Sequence, residues 1–567
     1  MKLIKTISLK YCGLLLLVLL AVSSCRKTEL EPVEWIREEL VFDTADTRGV
    51  LADWFLNDIY NYIPGGFNRI GNDFLDAATG DAIASRNNTV VEYYTNGRIS
   101  VLNNPDPYWS NSYFMIRKSN MFLANINKVP VPALTKQYWR ADARFLRALA
   151  YFELVKRYGG VPLVDDKLFT LEDDIQLPRN TFEQCVNYII TECDIIRDSL
   201  RKEPIADGEW GRIPRGAAVA LKCRILLYAA SPLLNGGGIE TDPALRVLTG
   251  YPAADPARWQ KVIAAAEEFK TLGYYTLQTS LGSIFTTKKN SEVILAKQTF
   301  NNFSLESTQS PVGYINANVF SQGLTSPTQN FVDAFTMVNG LPITDPASGY
   351  SAVNPYAGRD ARFAATVFYN GVRWLSRNVE TFEGGKDKPN LSSIPVQTKT
   401  GYYLRKFTFD FTNSTAYSNQ SHNFILFRYA EILLNYAEAL NEAGRTEDAV
   451  QQIILIRKRA GIANGTNNRN GIKAGISQAE MRDIIRTERR VELAFEEHRF
   501  WDLRRWKIAD QVLNSSLTGM KIISSGTTLT YQVVPVTNIV FTNRLYHMPI
   551  PYDETTKNRK LLQNEGW

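Results

Sequence analysis

Two stretches of the chain set aromatic rings among amides in segments without helical periodicity. The first, NDFLDAATGDAIASRNNTVVEYYTNGR, offers Asp73, Asn87, Asn88, Tyr93 and Tyr94; the second, TFNNFSLESTQSPVGYINANVF, offers Asn301, Asn302, Phe303, Gln309 and Tyr314. An aromatic ring can cover the apolar C–H face of a sugar while amides and carboxylates bond its hydroxyls, so this mixture points to carbohydrate binding. The alternative for every one of these rings is packing beneath its own loop.

Covalent chemistry finds less support. From Arg486 to Lys507 the chain interleaves Glu488, Glu492, Glu496, Glu497 and Asp502 with Arg489, Arg490, Arg499, Arg504 and Arg505. Two of these carboxylates could do acid–base work. Glu492, Glu496 and Asp502, however, each have an arginine three residues away, which is the spacing of helical ion pairs, and Phe495, Phe500, Trp501 and Trp506 supply an apolar side. The structural reading is preferred, and no catalytic residue is assigned. The three histidines, His422, His498 and His547, fall in no metal-ligand spacing, so neither a metal nor another cofactor is expected. Nucleophile elbow, P-loop and dinucleotide motifs are missing in any suitable context. A glycoside hydrolase stays open as the enzyme alternative, because its two carboxylates can come from anywhere in a chain.

The first residues bear on compartment. Lys2, Lys5 and Lys10 precede an apolar run, Leu14 to Val22, that stops at Ser23-Ser24-Cys25. The run is shorter than the ~20 residues a membrane span needs, and it reads as a cleaved export signal. Small residues before Cys25 resemble a bacterial lipobox, so Cys25 is expected to be the lipid attachment site. Acyl chains on that residue would hold the protein at a membrane, since each buried CH₂ contributes about 0.8 kcal/mol. The three leader lysines carry half of the formal charge of +6 and leave +3 on the mature chain, which excludes a strongly basic nucleic-acid footprint. Glu29, Glu31 and Glu34 follow the cysteine as an acidic tether.

Cys185, Cys193 and Cys223 remain for the folded body. Cys185 and Cys193 share one helical pattern roughly 12 Å apart along its axis, too far for a disulfide, and zinc spacing is missing. All three are expected as small buried side chains.

The elements that must carry the two aromatic segments are helical. Trp139 to Tyr158 is an amphipathic helix closed by Gly159-Gly160 and Pro162. Thr181 and Gln184 have capping-box spacing for the next helix. The alanine-rich run after Arg215 breaks at Ser231-Pro232, and Asp255-Pro256 opens a helix around Trp259 to Phe269. Phe424 to Gly461 holds two periodic segments joined at Gly444, with small Ala430, Ala437 and Ala443 permitting close approach. Ser477 and Glu480 cap a further helix expected to reach about Phe495. Trp54 and Trp109 are both expected in the core. Residues 60–112 and 279–420 lack this periodicity and read as long loops with short strands. Their aromatic content argues against disorder and makes them the expected ligand surface.

Five segments in order resemble the SusD/RagB family: RADARFLRALAYFELVKRYGGVPLV, WGRIPRGAAVALKCRILLYAASPLLN, FRYAEILLNYAEALNEAG, ERRVELAFEEHRFWDLRRW and the closing HMPIPYDE with QNEGW. The resemblance implies a mainly α protein, a tetratricopeptide-like helical-pair scaffold with long irregular loop insertions and a few short strands. It divides the chain into a signal peptide (1–24), a lipid-anchored tether (25–45) and a body (46–567) with parts 46–278 and 279–567. It further implies a non-enzymatic outer-membrane lipoprotein facing the exterior, bound to the membrane through its N-terminal lipid. Such a protein passes oligosaccharides to a SusC-like TonB-dependent transporter; the RagB branch suggests peptides as the alternative cargo. The terminal segment, with Gln563, Asn564 and Trp567, is expected to pack back onto the body.

Overall fold

The computed structural model describes residues 38–316, 319–390 and 396–567. The leader, Cys25 and most of the tether lie outside the described residues. Helices dominate, and each long one packs on its chain neighbour. Trp109–Asn125 lies on Ala133–Tyr158, then follow Phe182–Ile196, Arg215–Ala230, Arg258–Lys270 and Tyr429–Glu442. The last of these also receives Thr446–Arg459 and Gln478–Glu492. The result is the mainly α, helical-pair scaffold expected from periodicity.

Local sequence sets the ends of these helices. Thr181 and Gln184 form a reciprocal capping box, as do Ser477 and Glu480. The helix Arg215–Ala230 stops before Ser231-Pro232. Gly159 ends its helix at φ +80°, where a Cβ would sit 2.5 Å from the Leu248 carbonyl oxygen, so glycine is required by conformation and by space. Three expectations need correction. Phe424–Arg428 is a strand, paired antiparallel with Val293–Lys297, and the helix begins only at Tyr429. The helix after Ser477 ends at Glu492, and Phe495 sits at positive φ beyond it. Trp54 is 64% exposed, because Ala52, Leu56 and Ile59 form the buried face of its helix, Val50–Asn61.

Between the helices the chain builds short antiparallel pairs, including Ala82–Ala84 with Thr325–Pro327. Ser516–Ser525 and Thr528–Asn538 form a much longer hairpin, turning at Gly526 with φ +61°. Helical periodicity does not single it out. One apolar cluster runs through the helical scaffold, and a second, with Phe74, Phe331, Phe363, Phe407 and Phe495, lies beneath the irregular part. Cys185, Cys193 and Cys223 are buried free thiols within the fold. Trp109 is buried as expected. The tail is tied down by Asn564, whose Nδ2 donates to the Tyr158 and Met548 carbonyls at 3.1 and 2.9 Å.

The dense charges near the C-terminal end prove structural, but their partners are mostly distant in the chain. Glu492 accepts from Arg428 at 2.7 Å and from Arg362 at 3.1 Å, and Arg459 also reaches it. Glu488 pairs with Arg362 and Arg457, while Glu496 pairs with Arg428 and Lys406. Asp502–Arg505 keeps the expected helical spacing. These buried pairs bolt the scaffold helices to the irregular part through Glu292, Asp360 and Lys406.

Candidate functional site

The two aromatic and amide segments, more than two hundred residues apart in sequence, are brought near each other by contacts of the chain that flanks them. Asn68 donates through Nδ2 to Thr308 Oγ1 at 3.0 Å, and Gln309 Nε2 donates to Asn68 Oδ1 at 2.8 Å. The Ala82–Ala84 strand pairs with Thr325–Pro327, and Ser85 continues the contact by donating its N–H to the Leu324 carbonyl at 2.8 Å and its hydroxyl to that of Gly323 at 2.6 Å. The chain then emerges as a loop carrying exposed Asn87 and Asn88, with Asn88 at φ +58°, a conformation asparagine tolerates. Lys399 supports this loop from below through the Ala84 and Arg86 carbonyls.

The second segment is held by Asn302. Its Oδ1 accepts from the Ser304 N–H at 3.0 Å and hydroxyl at 2.7 Å, and its backbone exchanges two hydrogen bonds with Gln420. Beneath, Glu306 accepts from the Phe409 N–H at 2.9 Å and lies 3.0 Å from His422 Nε2. This clamp leaves Asn301 exposed, Phe303 half-buried and the Phe300 ring 96% exposed. So large an apolar side chain standing free beside amides is the surface a sugar face would cover.

The structure separates the residues expected to touch ligand. Asn87 is at the surface, as is its neighbour Asn88; Tyr93 is half-buried beneath the Arg98 guanidinium, 4.5 Å from its ring. Asn302 and Phe303 are half-buried at the rim. Four others are corrected. Tyr94 is buried with its ring edge-on to Phe500 and its hydroxyl donating to Asn104 at 2.7 Å. Tyr314 is enclosed between Trp374 and Arg377. Gln309 is buried on Asn68. Asp73 is buried against Arg86 at 2.9 Å, and burial raises its carboxyl above the usual range despite that partner. Phe300 was missed, although it stands in the quoted segment, because no local pattern separates a presented ring from a packed one.

Two clefts of mixed polar and apolar lining lie nearby. One, of about 600 Å³, is lined by Asn61, Tyr62, Tyr108, Asn111 and Lys297; the other, of about 250 Å³, by Trp210, Gln298 and again Asn61 and Lys297. The carboxylate in the first, Asp106, is bound by Arg69 and Arg157 at 2.7 Å each, which overcome burial and hold it well below the usual carboxylate range. The carboxylate in the second, Glu209, is paired with Arg201 at 2.8 Å. A general acid needs a raised pKa in the cleft, and Asp106 is held in the opposite direction. Among the described residues no group of histidine, cysteine and carboxylate side chains is arranged to hold a metal, and no helix is long and apolar enough to cross a membrane.

Scaffold and face together define a helical-pair protein that presents an irregular, amide-rich surface on long insertions. The chain belongs to the SusD/RagB family: the SusD family model matches residues 291–567, and a SusD-like model described as starch-binding associating with outer membrane matches residues 44–227. It is similar to SusD-like protein P2 of Formosa agariphila, with 24% identity over 98% of this chain and 99% of the relative. Among solved structures, a SusD-like protein from Bacteroides fragilis superposes with a TM-score of 0.75 and 28% identity, covering 92% of this chain and 98% of that one. A laminarin binding SusD-like protein (TM-score 0.61, 21% identity, 91% and 99% coverage) shares the fold. So does surface glycan-binding protein A from Bacteroides fluxus (0.62, 18%, 92% and 100%).

Proposed function

We propose that this chain is a non-catalytic, surface-exposed outer-membrane lipoprotein that binds oligosaccharides and hands them to a SusC-like TonB-dependent transporter. The observation that carries the binding half is the tying together of two amide-rich regions distant in sequence, through Asn68 and Thr308 and through the Ala82–Ala84 pairing with Thr325–Pro327, with the Phe300 ring exposed beside Asn301 in one and Asn87 and Asn88 exposed in the other. Family membership and the likeness to a laminarin binding SusD-like protein and a surface glycan-binding protein favour sugar as the cargo. The arginine-bound carboxylates of both clefts favour capture without turnover. The family description as associating with the outer membrane supports the location, and the lipobox-like sequence supports cleavage after residue 24, acylation of Cys25 and a tether over residues 25–45. The transporter rests on family likeness.

The test is calorimetric titration of the full-length protein with a panel of soluble glycans and of peptides, followed by an assay for new reducing ends. Binding of at least one glycan without hydrolysis is expected. Heat from peptides alone would replace the sugar assignment by the peptide one, and new reducing ends would replace capture by hydrolysis. For the anchor, Cys25→Ser is expected to release the protein from the membrane fraction; continued membrane association would remove the lipid from the account.

A further inference from the structure

The larger cleft has a chemistry of its own. It lies between the C-terminal end of the Val50–Asn61 helix and the start of the Trp109–Asn125 helix with residues 105–108 that lead into it, and Asn61, Tyr62, Tyr108, Asn111, Arg69 and Lys297 supply amides, phenol rings and two cations. Arg69 is neutralised, with Asp106 at 2.7 Å and Glu497 at 2.5 Å. Lys297 is not. Its Nζ donates to the Ile63 carbonyl at 2.7 Å and lies 3.4 Å from that of Asn61, and among the described residues no carboxylate is within ion-pair distance. Half-buried at the seam of the two clefts, this ammonium is balanced by backbone dipoles alone. Burial, reinforced by Arg69, lowers its pKa from the ordinary lysine value, as expected of a cation short of counter-charge.

The rings beside it are held in place. Tyr108 sits at φ +44°, a costly angle for a side chain with a Cβ, and its hydroxyl donates to the Tyr62 carbonyl at 3.0 Å. Backbone strain of this kind collects at ligand sites, where the surroundings fix it. An anion entering the cleft would meet an ammonium already partly desolvated, so little further water need be removed before the charges pair.

We propose that this cleft takes an anionic sugar residue, bearing a carboxylate or a sulfate, whose charged group pairs with Lys297 Nζ while Tyr62, Tyr108 and the amides of Asn61 and Asn111 receive the ring. The proposal rests on the glycan-binding reading and narrows it to acidic polysaccharides.

Titration of the full-length protein with polygalacturonate and alginate, with dextran sulfate, and with neutral dextran, amylose and laminarin tests it. At least one acidic polymer is expected to bind, more weakly as salt rises. Lys297→Met is expected to weaken that binding about tenfold and flatten its salt dependence, whereas Lys297→Arg restores it. Asn111→Asp, at an exposed position, is expected to weaken acidic ligands selectively and serves if Lys297→Met fails to fold. The carboxylated and sulfated arms tell the two anions apart. Binding of neutral glycans alone, or acidic binding unchanged in folded Lys297→Met or in Asn111→Asp, would overturn the acidic assignment and leave glycan binding standing. Silence towards every glycan would overturn both.

Discussion

Arg428 Nη1 donates to Glu492 Oε1 at 2.7 Å, joining the end of a strand to the end of a helix 64 residues on, with both side chains sealed from solvent. The same guanidinium reaches Glu292 at 2.8 Å and Glu496 at 2.7 Å, so one arginine holds together the scaffold and the irregular part. Replacing it by an apolar residue would strand three carboxylates in a water-poor interior. Arg428→Met is expected to destabilise the protein by about 3–5 kcal/mol, read by urea unfolding. A loss under ~1 kcal/mol would mean that the neighbouring arginines suffice.

Acid should attack the same hub. Burial opposes ionisation of Glu492, but Arg459, Arg428 and Arg362 overcome it and hold its carboxyl well below the usual range; Glu488 and Glu496 are lowered in the same way by their own partners. A depressed folded-state pKa contributes stability that is complete above the unfolded value, near 4.3, and lost as pH falls through the folded one. Melting temperature is therefore expected to drop steeply below about pH 4, and the drop should be shallower in Arg428→Met.

Asp76 works in the opposite sense. Burial, with Glu497 and Asp81 nearby, pushes its carboxyl up to about 8, while its Oδ1 accepts from the Phe495 N–H at 3.2 Å. A raised carboxyl favours folding fully below the unfolded pKa, near 3.9, and loses that contribution as pH rises towards the folded value. Asn can keep the hydrogen bond without the charge. Asp76→Asn is expected to melt higher than the parent by a margin that grows from about pH 4 to about pH 8 and then levels, reaching a few kcal/mol. A constant margin across pH would contradict the assignment.

The exposed ring of Trp54 should be separable from the buried ring of Trp109. Trp54→Ser is expected to change stability by less than about 0.5 kcal/mol, and Trp109→Ala to cost about 3–5 kcal/mol, in thermal melts.

Phe300→Ala is expected to leave the melting temperature unchanged and to weaken glycan binding by about 1–2 kcal/mol in calorimetry, the worth of a lost ring contact. Tyr94→Phe, which removes only the bond to Asn104, should spare binding while lowering stability by about 1 kcal/mol. Reversed effects would return ligand contact to Tyr94.

The helices, their caps at Thr181 and Ser477 and their breaks at Gly159 and Ser231-Pro232 were legible in the sequence, because each depends on residues within a few positions. The family was legible for the same reason: its five signatures are helices and a tail. The candidate face was legible as two compositions, not as a set of contacts. Asn68 and Thr308 meet across 240 residues, and whether Tyr94 or Phe300 faces solvent depends on Phe500 and on the clamp from Gln420, which no local window contains. Only the tertiary structure placed the buried charge hub between scaffold and face, turned Trp54 outward, and left Lys297 without a carboxylate partner among the described residues. Helix formation is governed by near neighbours, whereas burial and charge pairing are governed by what the rest of the chain brings alongside.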